Sequence, residues 1–335
     1  MCYFFANFFK KCILIGFSMN KTNAIYELIK KYDAITIWGH ALPDGDCYGC
    51  QIGLREIIRD SFPEKMVYAV GSGIPTLFQR LSPMDVVDEK TISESLAIIV
   101  DVSCLRRVED QRVNKAAAFA KFDHHMFNPG EAFEHTSFVD ADRVSCAEII
   151  AEWAFENNLK VSRLAAEALY LGIATDSGQF KYFGTTPKTF ETSGKLFALG
   201  VEPYTLMDLV YKEDASSVNF RSFLVKHARL DGNVVYCEIG PKDYLDNQIS
   251  YERASGMVNS LSVFNSPVYA LFAENGDGII RVELRSNQGY PVQPTAMQFG
   301  GGGHLFAAGC TLYTGRGPKA IEVVKACNRI QKSEG

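Results

Sequence analysis

The chain has 335 residues, enough for two domains of ordinary size, and its 47% hydrophobic and 22% charged composition excludes a disordered, collagen-like or disulfide-scaffold protein. A net charge of −5 argues against a surface built for long double-stranded nucleic acid, but it allows a small anionic ligand in a locally basic or metal-bearing pocket. Nine cysteines, an odd number spread along the chain, read as the reduced thiols of a cytoplasmic protein.

Residues 2–17 are apolar, but Lys10 and Lys11 split them into runs short of the ~20 residues that span a bilayer. The order of charges is not that of a signal peptide. Residues 1–19 therefore read as an extension ahead of a natural start at Met19, with a peripheral membrane anchor as the alternative and no stable span. Residues 24–32 read as a helix, Ala34–Trp38 as a buried strand, 47–60 as a helix, Met66–Val70 and Leu96–Asp101 as strands. Residues 110–120 look helical, and a short strand ends at Phe122-Asp123. Helices follow over 145–157 and 162–174, then polar helical segments through 184–215. Beyond these come strands near 233–239, 268–273 and 279–285, a glycine-rich turn at 300–303 and a last amphipathic helix over 318–332.

Strands alternating with helices predict an α/β protein: a mainly parallel-sheet N-terminal domain over 20–195 and a smaller mixed α/β domain over 218–332. Charged and small residues around Tyr211–Ser217 place a linker at 196–217. There is no internal repeat.

Four segments carry chemistry, each where a strand or helix gives way to a loop, the place where open α/β sheets bind ligands. They are His40-Ala41-Leu42-Pro43-Asp44-Gly45-Asp46, Asp101 after an apolar strand, Asp123-His124-His125, and Thr175-Asp176-Ser177-Gly178. Carboxylates mixed with imidazoles suit manganese, iron or zinc. A two-metal hydrolase with ions ~3.5–4 Å apart needs a donor supply of this kind. His40, Asp44, Asp46, Asp101, His124 and Asp176 provide it, with Asp123 and His125 in reserve. Taken singly, each has a plainer explanation: Asp44 and Asp46 as turn and helix cap, Asp101 as a strand end, Asp176 as an Asx-turn. The metal reading fails only if all of these hold together.

Cys47-Tyr48-Gly49-Cys50 could suggest a redox pair or half a zinc site, but the chain has no second such pair. In the C-terminal part, Gly300-Gly301-Gly302-Gly303-His304 offers backbone that approaches a phosphate without side-chain obstruction, and Arg285 ends a strand as a second candidate contact.

Together these segments resemble the four motifs of the DHH phosphoesterase superfamily, and GGGGH followed by Ala307-Ala308-Gly309 resembles its DHH-associated C-terminal domain. The resemblance runs from about residue 22 to 330, and a two-domain chain of this length is similar to the nano-RNase and pAp phosphatase group. It implies an active site in the cleft between the domains and two Mn2+ ions, other divalent metals being compatible. His40, Asp44 and Asp101 would hold one ion; Asp46, Asp101, His124 and Asp176 would hold the other, with Asp101 bridging. His125 would contact the scissile phosphate, and Arg285, Gly301, Gly302, Gly303 and His304 would grip the substrate. The implied reaction is attack of a metal-bridging hydroxide on short RNA oligonucleotides, giving mononucleotides, and on the 3′-phosphate of 3′-phosphoadenosine 5′-phosphate (pAp). The alternatives are a phosphodiesterase for linear or cyclic dinucleotides and a non-catalytic nucleotide-binding module. A homodimer is allowed but not required. Two departures stand out: Cys50 where many relatives have Ser, and Arg285-Ser286-Asn287 where many have Arg-Ser-Arg.

Overall fold

The computed structural model describes residues 24–125, 133, 135–182, 184–286 and 289–332. Residues 2–17, Met19 and Asn287, singled out above, lie outside the described residues. The chain divides after Tyr211 into two compact units.

The first unit begins with helix α1 (24–31), strand β1 (Ala34–Trp38), α2 (Gly45–Ser61), β2 (Met66–Val70), α3 (Glu89–Glu94) and β3 (Leu96–Val100). It continues with β4 (Ala118–Asp123), β5 (Thr136–Val139), α4 (Cys146–Glu156), α5 (Arg163–Asp176), α6 (Pro187–Ala198) and α7 (Pro203–Tyr211). Its strands form one sheet in the order β2-β1-β3-β4-β5 with every neighbouring pair parallel. Both faces are covered, which explains why β1 and β3 read as continuous apolar runs rather than alternating ones. Ile35, Ile37, Ile98 and Val100 pack toward α1, α2, α4 and α5, while Trp38, Ala97 and Ile99 pack on the opposite face with Ile92, Val108 and Val113. Because all the strands run the same way, the residues that follow β1, β3 and β4 emerge at one edge of the sheet.

The second unit contains α8 (Ala215–His227), β6 (Arg229–Asp231), β7 (Val234–Ile239), α9 (Pro241–Asp246), α10 (Tyr251–Ser255) and β8 (Val268–Glu274). After these come β9 (Ile279–Ser286), α11 (Gln293–Gln298), β10 (Gly302–His304), β11 (Ala307–Tyr313) and α12 (Ala320–Cys327). The mixed sheet has the order β10-β11-β9-β8-β7-β6, parallel only between β7 and β8. Separate apolar clusters cover its two faces.

The expected helix over 110–120 is not formed. A short 3-10 turn at Gln111–Lys115, capped by Asp110, leads into β4 from Ala118 onward. The run Ala116-Ala117-Ala118 favours helix locally, but pairing of β4 between β3 and β5 outweighs that preference. The strand expected to reach Asp101 stops at Val100, and the last helix covers Ala320–Cys327 rather than 318–332. Residues 196–217 carry the end of α6, all of α7 and the first turn of α8.

Helix α2 lies close against α5, and glycines set the separation. A Cβ on Gly49 would come within 2.3 Å of the Ala168 carbonyl oxygen, a backbone atom that cannot turn aside. Gly49→Ala should therefore destabilise the fold by about 2 kcal/mol, read from urea denaturation midpoints. A loss below about 0.5 kcal/mol would show that the two helices tolerate a wider spacing.

Candidate metal centre

The loop after β1 turns into α2 through Asp44, the N-cap, whose Oδ1 accepts hydrogen bonds from the backbone of Asp46 (3.1 Å) and Cys47 (3.0 Å). The plain explanation for Asp44 is thus correct as far as it goes. The same carboxylate also lies 3.7 Å from His40 Nε2. Asp46, in the first turn of α2, is fully buried at the start of α4, where it accepts from Cys146 N at 2.7 Å and Ala147 N at 2.9 Å. Two glycines permit this approach. A Cβ on Gly45 would meet Thr175 Oγ1 at 2.4 Å, and one on Gly172 would meet Asp46 Oδ1 at 2.6 Å.

Asp101 leaves β3 in the left-handed region, with φ +56°, and its N–H donates to Phe122 O at 3.0 Å. A non-glycine residue held there is strained, and such strain persists where surrounding structure fixes it, commonly at functional sites. His124 and His125 follow β4 directly, and Asp176 is the last residue of α5.

These residues converge in two sets. His40 Nε2 lies 3.7 Å from Asp44 Oδ1 and 3.5 Å from Asp101 Oδ2. His124 Nε2 lies 3.4 Å from Asp101 Oδ1, 3.5 Å from Asp176 Oδ2 and 3.8 Å from Asp46 Oδ2. Asp101 belongs to both, one oxygen to each. The opposite nitrogen of each ring faces a carbonyl: His40 Nδ1 lies 3.0 Å from Ala41 O, and His124 Nδ1 lies 3.3 Å from Arg143 O. Such bonds fix the ring and direct Nε2 at the carboxylates, as around metal-ligating histidines.

The donor set fits divalent ions. Asp101 Oδ1 is buried without a hydrogen bond among the described residues, a costly arrangement unless something else satisfies it. Separations of 3.4 to 3.8 Å are long for hydrogen bonds but suit donors that share an ion at ~2.1 Å each. Electrostatics agree. Burial, then repulsion from Asp101, pushes Asp46 up to about 7. Burial followed by Asp46 and Asp44 raises Asp176 well above the carboxylate range. Burial opposes the charged forms of His40 and His124, but attraction to the nearby carboxylates, Asp101 first, outweighs it and holds both above the ordinary imidazole value. Asp101 itself is lowered: burial works against its charge, and His124 and His40 overcome it.

His125 and Asp123 form a neighbouring group. Asp123 Oδ1 accepts from His125 Nδ1 at 2.7 Å and from His125 N at 3.1 Å. Two features escaped the sequence reading. The Cys47 thiol lies with His40 and Asp101 as a third donor atom, and it accepts the His40 N–H at 3.3 Å; burial pushes it up to about 12. Lys121 lies buried beside Asp123, and its signal was a lysine two residues before Asp123 on the same face of a strand. Cys50 donates to Asp46 Oδ1 at 3.5 Å, and both thiols of the Cys-x-x-Cys are free.

In the second unit, His304 on β10 and Arg285 on β9 are the register partners of Ala307 on β11, so they flank one residue across the sheet. Arg285 donates to Glu283 Oε2 at 3.0 Å. Gly301 is packed too tightly for any side chain, with Gly309 O 2.0 Å from where a Cβ would stand. Gly303, with φ +129°, lies near Ala307 O, whereas Gly302 borders open space.

Residues 34–173 match the DHH family N-terminal domain, and residues 231–329 match the DHHA1 domain. Over 300 residues the chain is 33% identical to a Bacillus subtilis protein named bifunctional oligoribonuclease and PAP phosphatase NrnA, covering 88% of this chain and 94% of that one. A Mycoplasma pneumoniae protein of the same name is 31% identical over 307 residues, covering 90% of this chain and 94% of its own length. In fold, the chain is similar to an exopolyphosphatase-related protein from Bacteroides fragilis, with TM-score 0.79 and 20% identity over 92% of this chain and 96% of that one.

A group held protonated by the fold contributes stability that is complete below its unfolded pKa and is lost as pH rises through its folded pKa. Asp46 does so up to about pH 7, and His40 and His124 continue the trend above the ordinary imidazole value. The melting temperature of the metal-free protein should therefore fall between pH 6 and 8, and saturating Mn2+ should remove that fall by displacing the protons. Asp176→Asn, which relieves repulsion, should raise the metal-free melting temperature at pH 8 by about 2–4 °C while diminishing the rise caused by Mn2+. A lowered melting temperature with an undiminished Mn2+ response would contradict the assignment of Asp176 to the cluster.

Proposed function

The chain belongs to the DHH phosphoesterase family, and we propose that it hydrolyses short oligoribonucleotides to mononucleotides and removes the 3′-phosphate of pAp. The observation that carries this reading is the pair of donor sets around His40 and His124 that share Asp101, together with the names of the relatives. His40, Asp44 and Asp101 would hold one Mn2+, and Asp46, Asp101, His124 and Asp176 the other. Bound divalent ions supply Lewis acidity toward phosphoryl oxygens and a water acidic enough to attack at neutral pH.

The chain's own residues then have separate tasks. The carbonyls of Ala41 and Arg143 aim the two ligating rings. Asp123 engages Nδ1 of His125, so Nε2 is the atom that would meet a scissile phosphoryl oxygen, and the carboxylate balances positive charge on that ring as it does so. From the second unit, Arg285 and His304 would contact a substrate phosphate with Gly301, Gly302 and Gly303, where the absence of side chains lets backbone N–H groups approach an anion. The free, buried cysteines among the described residues suit a reducing compartment, so we assign the protein to the cytoplasm.

The test is product release by the purified protein with Mn2+ from di- to pentaribonucleotides and from pAp. Mononucleotides from RNA and phosphate from pAp are expected, and Asp101→Ala should lower kcat/KM on both by at least about 100-fold. Release from neither substrate by metal-loaded wild-type protein would overturn the reading. An Asp101→Ala protein retaining more than a few per cent of activity would overturn the shared role of Asp101.

A further inference from the structure

Lys121 has no part in the chemistry described so far, yet its ammonium is buried between two acceptors. It lies in β4 on the same face as Asp123, toward the cluster of Trp38, Ile99 and Val113. Lys121 is 5% exposed and Asp123 is 1% exposed. A buried ammonium is costly unless its protons are matched, and an apolar side chain would fill the same space at less cost. Here the protons are matched. Nζ donates to Ser103 O at 3.0 Å and to Asp123 Oδ2 at 3.1 Å, and it lies 5.2 Å from the centre of the Phe133 ring.

The two oxygens of Asp123 are thereby divided. Oδ2 meets Lys121, and Oδ1 receives both the backbone N–H and the Nδ1 of His125. Ser103 lies two residues beyond Asp101, so the same ammonium ties the loop after β3 to the end of β4, which His124 and His125 follow. Asp101, Asp123 and His125 also lie close enough together to form a metal-binding group. A cation already seated on Asp123 disfavours an ion there and favours an orienting role for its carboxylate.

We propose that Lys121 is a positioning residue: by fixing Asp123 against Ser103 O, it holds the His125 ring with Nδ1–H on that carboxylate, so that Nε2 is the nitrogen that, once protonated, donates to a phosphoryl oxygen of the substrate. Its kinetic consequence rests on the phosphoesterase reading above, whereas its effect on the ring does not.

The experiment has two parts. Long-range proton–nitrogen spectra of the full metal-free chain at pH 8, with His125 assigned by its disappearance in His125→Gln, report the tautomer directly. Wild type should show the Nδ1–H form and Lys121→Met a mixture; an unchanged His125 spectrum in Lys121→Met would overturn the proposal. With Mn2+, Lys121→Met should lower kcat about tenfold with KM and the Mn2+-induced rise in melting temperature retained. In an Asp123→Asn background, the same substitution should change kcat by less than about twofold, because it acts through that carboxylate. Equal factors in both backgrounds would show a merely structural lysine and overturn the proposal. If Lys121→Met does not fold, as judged by circular dichroism, Lys121→Gln takes its place in both parts with the same criteria. Absence of turnover by wild type would defeat the phosphoesterase reading alone, and the ring spectra would still decide the role of Lys121.

Discussion

Electrostatic crowding around Asp101 is the constraint on which the rest of the first unit depends. Four carboxylates and two imidazoles meet at one edge of a parallel sheet, and burial magnifies every charge among them. Without a counter-ion the cluster holds protons: Asp46 and Asp176 are pushed up, and His40 and His124 are kept in the charged form. A site that stores protons in this way exchanges them for divalent cations, which couples metal affinity to pH and to folding.

Such a cluster exists because packing elsewhere holds it together. The N-terminus of α2 and the end of α5 can approach only because Gly45 and Gly172 lack side chains, and the N-terminal backbone of α4 offers two N–H groups to Asp46. Parallel strands deliver the other donors from β1, β3 and β4 to the same edge. The left-handed turn at Asp101 takes the chain sharply out of β3, so its carboxylate can serve both rings. The strain there and the repulsion among the carboxylates are offset by the two-sided apolar core beneath.

Much of this was legible in the residues. Apolar runs bounded by polar loops marked β1, β2 and β3, and carboxylates and histidines at the ends of such runs marked the site. What stayed hidden depends on tertiary contacts. The run Ala116-Ala117-Ala118 favours helix in isolation, and pairing against Leu96–Val100 draws its last residue into β4. Lys121 drew no reading: its place two residues before Asp123 hints at that pair, but nothing local reveals that Ser103 O also receives one of its protons. Cys47 was weighed only with Cys50, since its neighbours His40 and Asp101 come together through the fold. In the second unit, residues 300–303 read as a glycine-rich turn although β10 begins at Gly302, because an edge strand of glycines lacks the apolar alternation that marks a strand.

Anomalous diffraction at the manganese edge from crystals of the Mn2+-loaded protein locates each ion relative to Asp101. Two peaks are expected on either side of Asp101, one among His40, Asp44 and Asp101 and the other among Asp46, Asp101, His124 and Asp176. A single peak, or one centred on Asp123 and His125, would contradict that placement.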